Sequence, residues 1–213
     1  MPRASSQEIK EQILDVAEGA IARDGYAGTT LRNIVGQANV NLAAVHYHFG
    51  SKEDLLRAVL ARISQPIVAA QLTALEQLMK ESGENGNSPL MVESILRAYL
   101  SPALSCVVQH HKARPLRAQF IGRSRTEPDP VQQIATDQFR PGTDKVLDAL
   151  QRALPDQSRS QLEWKLDLVV ACLIRVLAQA GKPGALLVEN TDDAFEVAVS
   201  KLIAFVLPGL ENS

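Results

Sequence analysis

The stretch NLAAVHYHFGSKEDLL, residues 41–56, holds the densest set of side chains able to act on a ligand. His46, Tyr47, His48 and Lys52 can all donate hydrogen bonds to an anion. The spacing argues against a metal. Positions i and i+2 of a helix face different directions, and no cysteine or nearby carboxylate completes a ligand set around His46 and His48. Catalysis finds little support in the rest of the chain, which has no Ser/His/acid set at credible spacing, no GxGxxG and no P-loop. What remains is recognition of phosphate or of base edges by a short polar helix end.

The flanking residues say how that end is held. Asn41 is a good N-cap, Gly50 ends the helix, and Ser51 with Asp54 forms a weak capping box for the next one. At 100° per residue, Val45 and Phe49 point inward and Val40 leads in. Ala43 and Tyr47 lie opposite, with Ala44 and His46 on the flanks and Leu42 at the edge. Upstream, Thr30 caps a helix over 31–38 whose inner face is Leu31, Ile34, Val35 and Ala38. Asn39 ends it, being a residue that tolerates the left-handed conformation. Two helices of about two turns joined by a short turn make the helix-turn-helix unit. Such hairpins also occur in helical proteins with no nucleic-acid role, so spacing alone leaves both readings open.

The remainder reads as helix throughout. A first helix spans 8–24, with Ser6 as its cap and Gly25 as its stop. After Ser51 an apolar stripe runs to Ile63, is interrupted or kinked at Pro66, and resumes to Met79 before the polar turn GENGNS. Further helices are expected near 89–108, 113–125, 129–139, 142–153, 158–180 and 191–207. The fold class is therefore all-α: a three-helix helix-turn-helix domain over 1–51 and a larger helical body over 52–213.

Composition narrows the classes. Hydrophobic residues make up 46%, charged residues 22% and aromatics 4%, an ordinary soluble balance that favours helices. Net charge is −2, and residues 1–62 hold as many acids as bases, so any nucleic-acid site must be local. MPRASSQEIKEQ lacks the apolar core of a signal peptide, and the run LVVACLI is too short to span a bilayer. The expectation is a cytoplasmic protein without a cofactor. Cys106 and Cys172 sit in apolar helical patterns and read as buried, reduced thiols. His110 and His111 read as solvent-facing.

Residues 8–62 closely resemble the DNA-binding domain of TetR/AcrR-family transcriptional regulators. The likeness rests on Gly25-Tyr26, Thr30, Ile34-Val35, Ala38-x-Val40 and YHFGSKEDLL at 47–56. It implies that Leu42, Ala43, Ala44 and His46 face bases, and that Thr30, Asn41, Tyr47, His48 and Lys52 contact phosphates of a palindromic operator. Two positions depart from the family pattern: Asn39 replaces the usual turn glycine, and His46 the usual tyrosine. The second places a titratable group at the interface.

In the body, 162–177 and 194–207 are apolar over more than one stripe. The resemblance implies a homodimer through the helices near 158–180 and 191–207, with an effector pocket among the middle helices. KARPLRAQFIGRSR, residues 112–125, holds five bases and no acid. It reads as a solvated face, as salt bridges to the DNA-binding domain, or as a seat for an anionic effector. In the last case Arg117 and Arg123 would hold the anion, with Tyr99, Leu104, Phe120 and Phe139 as apolar wall. Here the likeness is loosely to the fatty-acid or acyl-CoA-responsive subgroup. The expected function is a repressor released from its operator by a small amphipathic effector. The alternatives are a helical lipid-binding protein with a non-functional DNA-binding head and, less well supported by the residues, a helical enzyme.

Overall fold

A computed structural model describes residues 5–84, 90–105, 114–187 and 192–212. Among them all regular structure is helical: α1 (Ser6–Gly28), α2 (Leu31–Gln37), α3 (Leu42–Phe49), α4 (Lys52–Glu84), α5 (Val92–Ser105), α6 (Arg114–Ser124), α7 (Val131–Ala153), α8 (Arg159–Gln179) and α9 (Asp192–Glu211). Helices α1 to α3 pack around the start of α4. The rest of α4 runs on into the body, where it lies against α5 and α7, while α6 lies on α8 and α9 on α5 and α8. One apolar core runs through both regions, from Ile13 and Val45 to Phe120, Leu177 and Leu202.

Three expected boundaries move. The cap of α1 is Ser5 rather than Ser6, because Ser5 and Glu8 close a reciprocal capping box. At Gly25 the helical geometry breaks as expected, at a φ of 73°, and a last turn to Gly28 follows across the kink. Neither Pro66 nor the Pro141-Gly142 pair breaks its helix, so α4 and α7 are each continuous. An interior proline costs about 3 kcal/mol. Burial of Ile63 and Ile67 around Pro66, and of Ile134 and Val146 around Pro141, outweighs it. The turn expected at 83–88 falls mostly outside the described residues, as do Cys106, His110 and His111. By length and composition α4 could cross a membrane. In this fold it is a core helix, with Leu55, Leu56, Val59, Leu60 and Leu75 buried.

Helix α6 comes close to α8 at Gly122. A Cβ there would stand 2.6 Å from the Ala178 nitrogen and 2.8 Å from the Ile174 carbonyl oxygen of α8. Both are backbone atoms, so no rotamer change relieves the clash. Gly122→Ala is expected to push α6 off α8 and cost about 2 kcal/mol, lowering Tm by about 4–8 °C. A thermal melt by circular dichroism checks it; an unchanged Tm would mean that the helices part freely.

Candidate nucleic-acid interface

The α2–turn–α3 unit is fixed by local hydrogen bonds. The Thr30 hydroxyl oxygen accepts from the Asn33 amide at 3.2 Å, and Asn41 Oδ1 accepts from the Ala44 amide at 2.8 Å. Asn39 takes a φ of 48°, as expected of a residue that tolerates the left-handed region. After α3 the chain turns at Gly50, at a φ of 82°, where a side chain would be strained. Ser51 and Asp54 then start α4: the Asp54 carboxylate accepts from the Ser51 hydroxyl and amide. Those bonds, the hydroxyl first, hold its carboxyl below the usual range.

Helix α3 buries Val45 and partly Phe49. Its outer face presents Leu42, Ala43, His46 and Tyr47, with Tyr47 81% exposed. Ala44 and His48 occupy the half-buried flanks. His46, a flank position by angle, is exposed beside Leu42 and Ala43. The capping roles of Thr30 and Asn41 use oxygen lone pairs only. The Thr30 O–H and the Asn41 NH2 stay free to donate outward.

Lys52 is more constrained than a free phosphate donor. Its Nζ donates to the Tyr26 carbonyl at 2.7 Å and lies 4.1 Å from the Tyr26 ring centroid. Partial burial lowers the Lys52 pKa, while burial and then the Glu53 charge raise that of Tyr26. The ammonium thus ties α4 to the end of α1 and retains two further N–H donors.

Behind this surface lies a charge cluster that the sequence did not single out. Glu18 of α1 is buried and gripped from two helices of the body. Arg62 of α4 reaches it through Nε at 3.1 Å and through a second guanidinium nitrogen, and Arg62 also pairs with Asp15 at 2.7 Å. From α6, Arg117 donates through Nε at 2.6 Å and NH2 at 3.0 Å. One helical turn and a half further on, Arg123 donates to the Ala22 carbonyl at 2.6 Å. Arg117 and Arg123 therefore bind α1, as in the salt-bridge alternative for the basic segment. As placed, neither points at an effector.

The other expected effector residues lie in the apolar core of the body. Leu104 and Phe120 are fully buried, Phe139 partly so, and Tyr99 is buried with its hydroxyl 3.3 Å from that of Thr143. Burial raises the Tyr99 phenol pKa, and the nearby Arg125 charge acts against the rise. Arg125 is half-buried and makes no hydrogen bond or ion pair with the described residues.

On the far side of the body α8 and α9 expose Trp164 (54%), Leu168 (57%) and Phe205 (76%). Adjoining apolar grooves of about 280 and 600 Å³ run between the two helices. Cys172 lines both grooves and is half-buried, not in the core as expected. Its place on the second apolar stripe of α8 explains the difference. Among the described residues no group of His, Cys, Asp and Glu could hold a metal ion.

Comparison with known proteins adds to this geometry. Residues 13–59 match the family described as bacterial regulatory proteins, tetR family, and residues 97–209 match the tetracyclin repressor-like C-terminal domain. The chain is 38% identical over 66 residues to an HTH-type nicotine-responsive transcriptional repressor, HdnoR, of Paenarthrobacter nicotinovorans, covering 31% of this chain and 34% of that one. It is 32% identical over 71 residues to the HTH-type transcriptional regulator BetI of Paraburkholderia phymatum, covering 33% and 36%. The match thus spans about a third of the length of these curated relatives. In structure the chain is similar to the TetR-family transcriptional regulator PfmR of Thermus thermophilus, with a TM-score of 0.59 at 19% identity over 94% of this chain and 99% of that one.

Proposed function

The chain belongs to the TetR family, and on that basis we propose that it is a homodimeric DNA-binding repressor whose operator affinity responds to a small-molecule effector. The observation that carries the reading is the outer face of α3: small residues and polar tips, on a helix whose ends and entry angle are fixed by caps. Such a face fits a major groove, with Leu42, Ala43 and His46 toward base edges and Ala44 at their margin. Thr30, Asn41, Tyr47, His48 and Lys52 surround it as phosphate donors.

The exposed apolar face of α8 and α9 takes a second copy. A twofold axis there makes the contact self-complementary and sets two recognition helices about 34 Å apart, as a palindromic operator requires. The same reading assigns 1–51 to DNA binding and 52–213 to effector binding and dimerisation, with α4 shared in packing. It makes the protein a cytoplasmic binding protein rather than an enzyme.

The effector seat we infer is the apolar interior around Tyr99, Leu104, Phe120 and Phe139. Arg125, close to Tyr99 and without an acid partner among the described residues, takes the role first given to Arg117 and Arg123. A half-buried cation whose charge acts on a buried phenol of the apolar interior favours an anionic amphiphile such as a fatty acid or acyl-CoA. Coupling runs through α6, which touches α8 at Gly122 and α1 at Glu18. An effector that shifts α6 changes the pose of the DNA-binding region, and linkage requires operator DNA to weaken effector binding by the same factor.

Fluorescence anisotropy on the protein's own upstream intergenic duplex, against a scrambled duplex, tests the reading. Specific binding is expected, and Tyr47→Ala should weaken it about tenfold or more, the effect of losing one hydrogen bond to a charged group. Tyr47 has no core role, so folding is spared. Equal weak binding to both duplexes, unchanged by Tyr47→Ala, would favour a lipid-binding protein with a non-functional head.

A further inference from the structure

The neutral His46 ring is held in one tautomer and, with the repressor reading as premise, that tautomer names the base it meets. The His46 Nδ1 lies 2.7 Å from the Gly50 carbonyl oxygen. A carbonyl only accepts, so in the neutral ring Nδ1 carries the proton and Nε2 holds a bare lone pair. Among the described residues the ring makes no other hydrogen bond. It is exposed on the outer face of α3, beside Ala43 and Leu42, and Leu42 is 40% exposed. We propose that this face reads an A·T pair: His46 Nε2 accepts a hydrogen bond from the adenine N6 amino group in the major groove, and Leu42 and Ala43 meet the thymine methyl.

The edges of the bases decide the choice. In the major groove adenine offers an N6 donor, and thymine an O4 acceptor beside its methyl group; guanine offers only the N7 and O6 acceptors, and cytosine an N4 donor without a methyl. The one N–H of the neutral ring is spent on Gly50, so against guanine His46 would set acceptor to acceptor. Reading guanine most often takes Arg or Lys. Helix α3, LAAVHYHF, has neither. Arg32 stands on α2, and Lys52 is held on the Tyr26 carbonyl. Leu42 and Ala43 precede His46 by four and three residues, so the three side chains share one side of the helix. One acceptor with apolar neighbours complements the amine and methyl of an A·T edge, not the edge of G·C.

The test is anisotropy of the full-length protein at pH 8 on its upstream duplex, with each base pair of one half-site substituted in turn, for wild type and His46→Ala. The ring is exposed, so His46→Ala spares the core. The position at which His46→Ala loses discrimination should be an A·T pair. Replacing that adenine by purine, which lacks only the N6 amino group, should weaken wild type about tenfold and His46→Ala by less than about twofold. Replacing it by 7-deazaadenine, which lacks the N7 acceptor, should affect both proteins alike. The comparison between the two proteins cancels what either analogue does to the duplex itself.

Base preferences left unchanged by His46→Ala, a G·C pair at the position it affects, a purine effect that survives it, or a 7-deazaadenine effect that it removes would overturn the proposal. A second arm needs no DNA: long-range 1H–15N spectra of the free protein at pH 8 should show the His46 proton on Nδ1. A proton on Nε2 would make the ring a donor to the groove and overturn the proposal as well. Failure of the wild type to bind any duplex specifically would strike the repressor reading instead, and the spectra would still decide the tautomer.

Discussion

Phe205→Glu is expected to turn the proposed dimer into a monomer and to lower operator affinity by a factor on the order of 100 or more. Phe205 stands 76% exposed and lines apolar grooves of the α8–α9 face, one of them with Trp164 and both with Leu168. A soluble monomer rarely leaves such residues contiguous and open. Across a twofold axis a glutamate would meet either its own copy or an apolar groove, and its desolvation has no compensating partner. The loss in DNA binding then follows from valence: one recognition helix binds a half-site, and the second no longer comes at high effective concentration. Because Phe205 contributes little to the monomer core, the melting curve should change less than the sedimentation coefficient. Analytical ultracentrifugation and anisotropy on the same samples read both effects. A variant that stays dimeric would move the interface away from this face.

The DNA-binding unit was legible because its determinants are local. Thr30, Asn39, Asn41, Gly50 and Ser51 each act on backbone within four residues, and the structure places each in the role its type implies. The outer face of α3 followed from helical angle for Ala43 and Tyr47. His46, on the flank by angle, is exposed as well, with its ring turned to the Gly50 carbonyl.

In the body the same reasoning reached less far. Pro66 and Pro141 looked like breaks because propensity is a local quantity, while the burial that overrides it is not. The basic segment 112–125 was ambiguous for a similar reason. Its partners Glu18 and Ala22 lie 99 and 101 residues away, on a helix whose apolar stripe drew attention instead. Nothing in a single sequence connects them. The clue available was weaker: five bases without an acid in their own segment must find counter-charge elsewhere or stay in water. Gly122 had no sequence signal, since a helical glycine reads as a weak point until the facing backbone is known.

Glu18→Ala should be the most damaging single change to the junction between the two regions, costing about 3 kcal/mol of stability. Breaking a buried pair by removing one partner leaves the other charge uncompensated, and here two guanidiniums lose the same carboxylate. The figure sits at the low end for buried pairs because Arg62 and Arg117 keep 23% and 20% of their side-chain surface exposed. The two arginines are not equal in what they lose. Arg62 still reaches Asp15 at 2.7 Å and Glu11 at 3.7 Å, whereas Arg117 has no other acid partner among the described residues. A double-mutant cycle separates the cases. Glu18→Ala with Arg117→Ala should cost clearly less than the sum of the two single changes, whereas Glu18→Ala with Arg62→Ala should come closer to additive. Urea denaturation measures each corner. The cycle also bears on coupling, because Arg117 is the ion pair of the cluster that comes from α6. If Arg117 and Glu18 act as a unit, Arg117→Ala loosens α1 from α6, leaving only the Arg123 bond to the Ala22 carbonyl between their polar groups, while α1 stays tied to α4 through Arg62. Operator affinity should then fall while the DNA-binding region stays folded. Additivity at Arg117 and Glu18, with operator affinity intact in Arg117→Ala, would mean that α6 rests on the DNA-binding region without directing it.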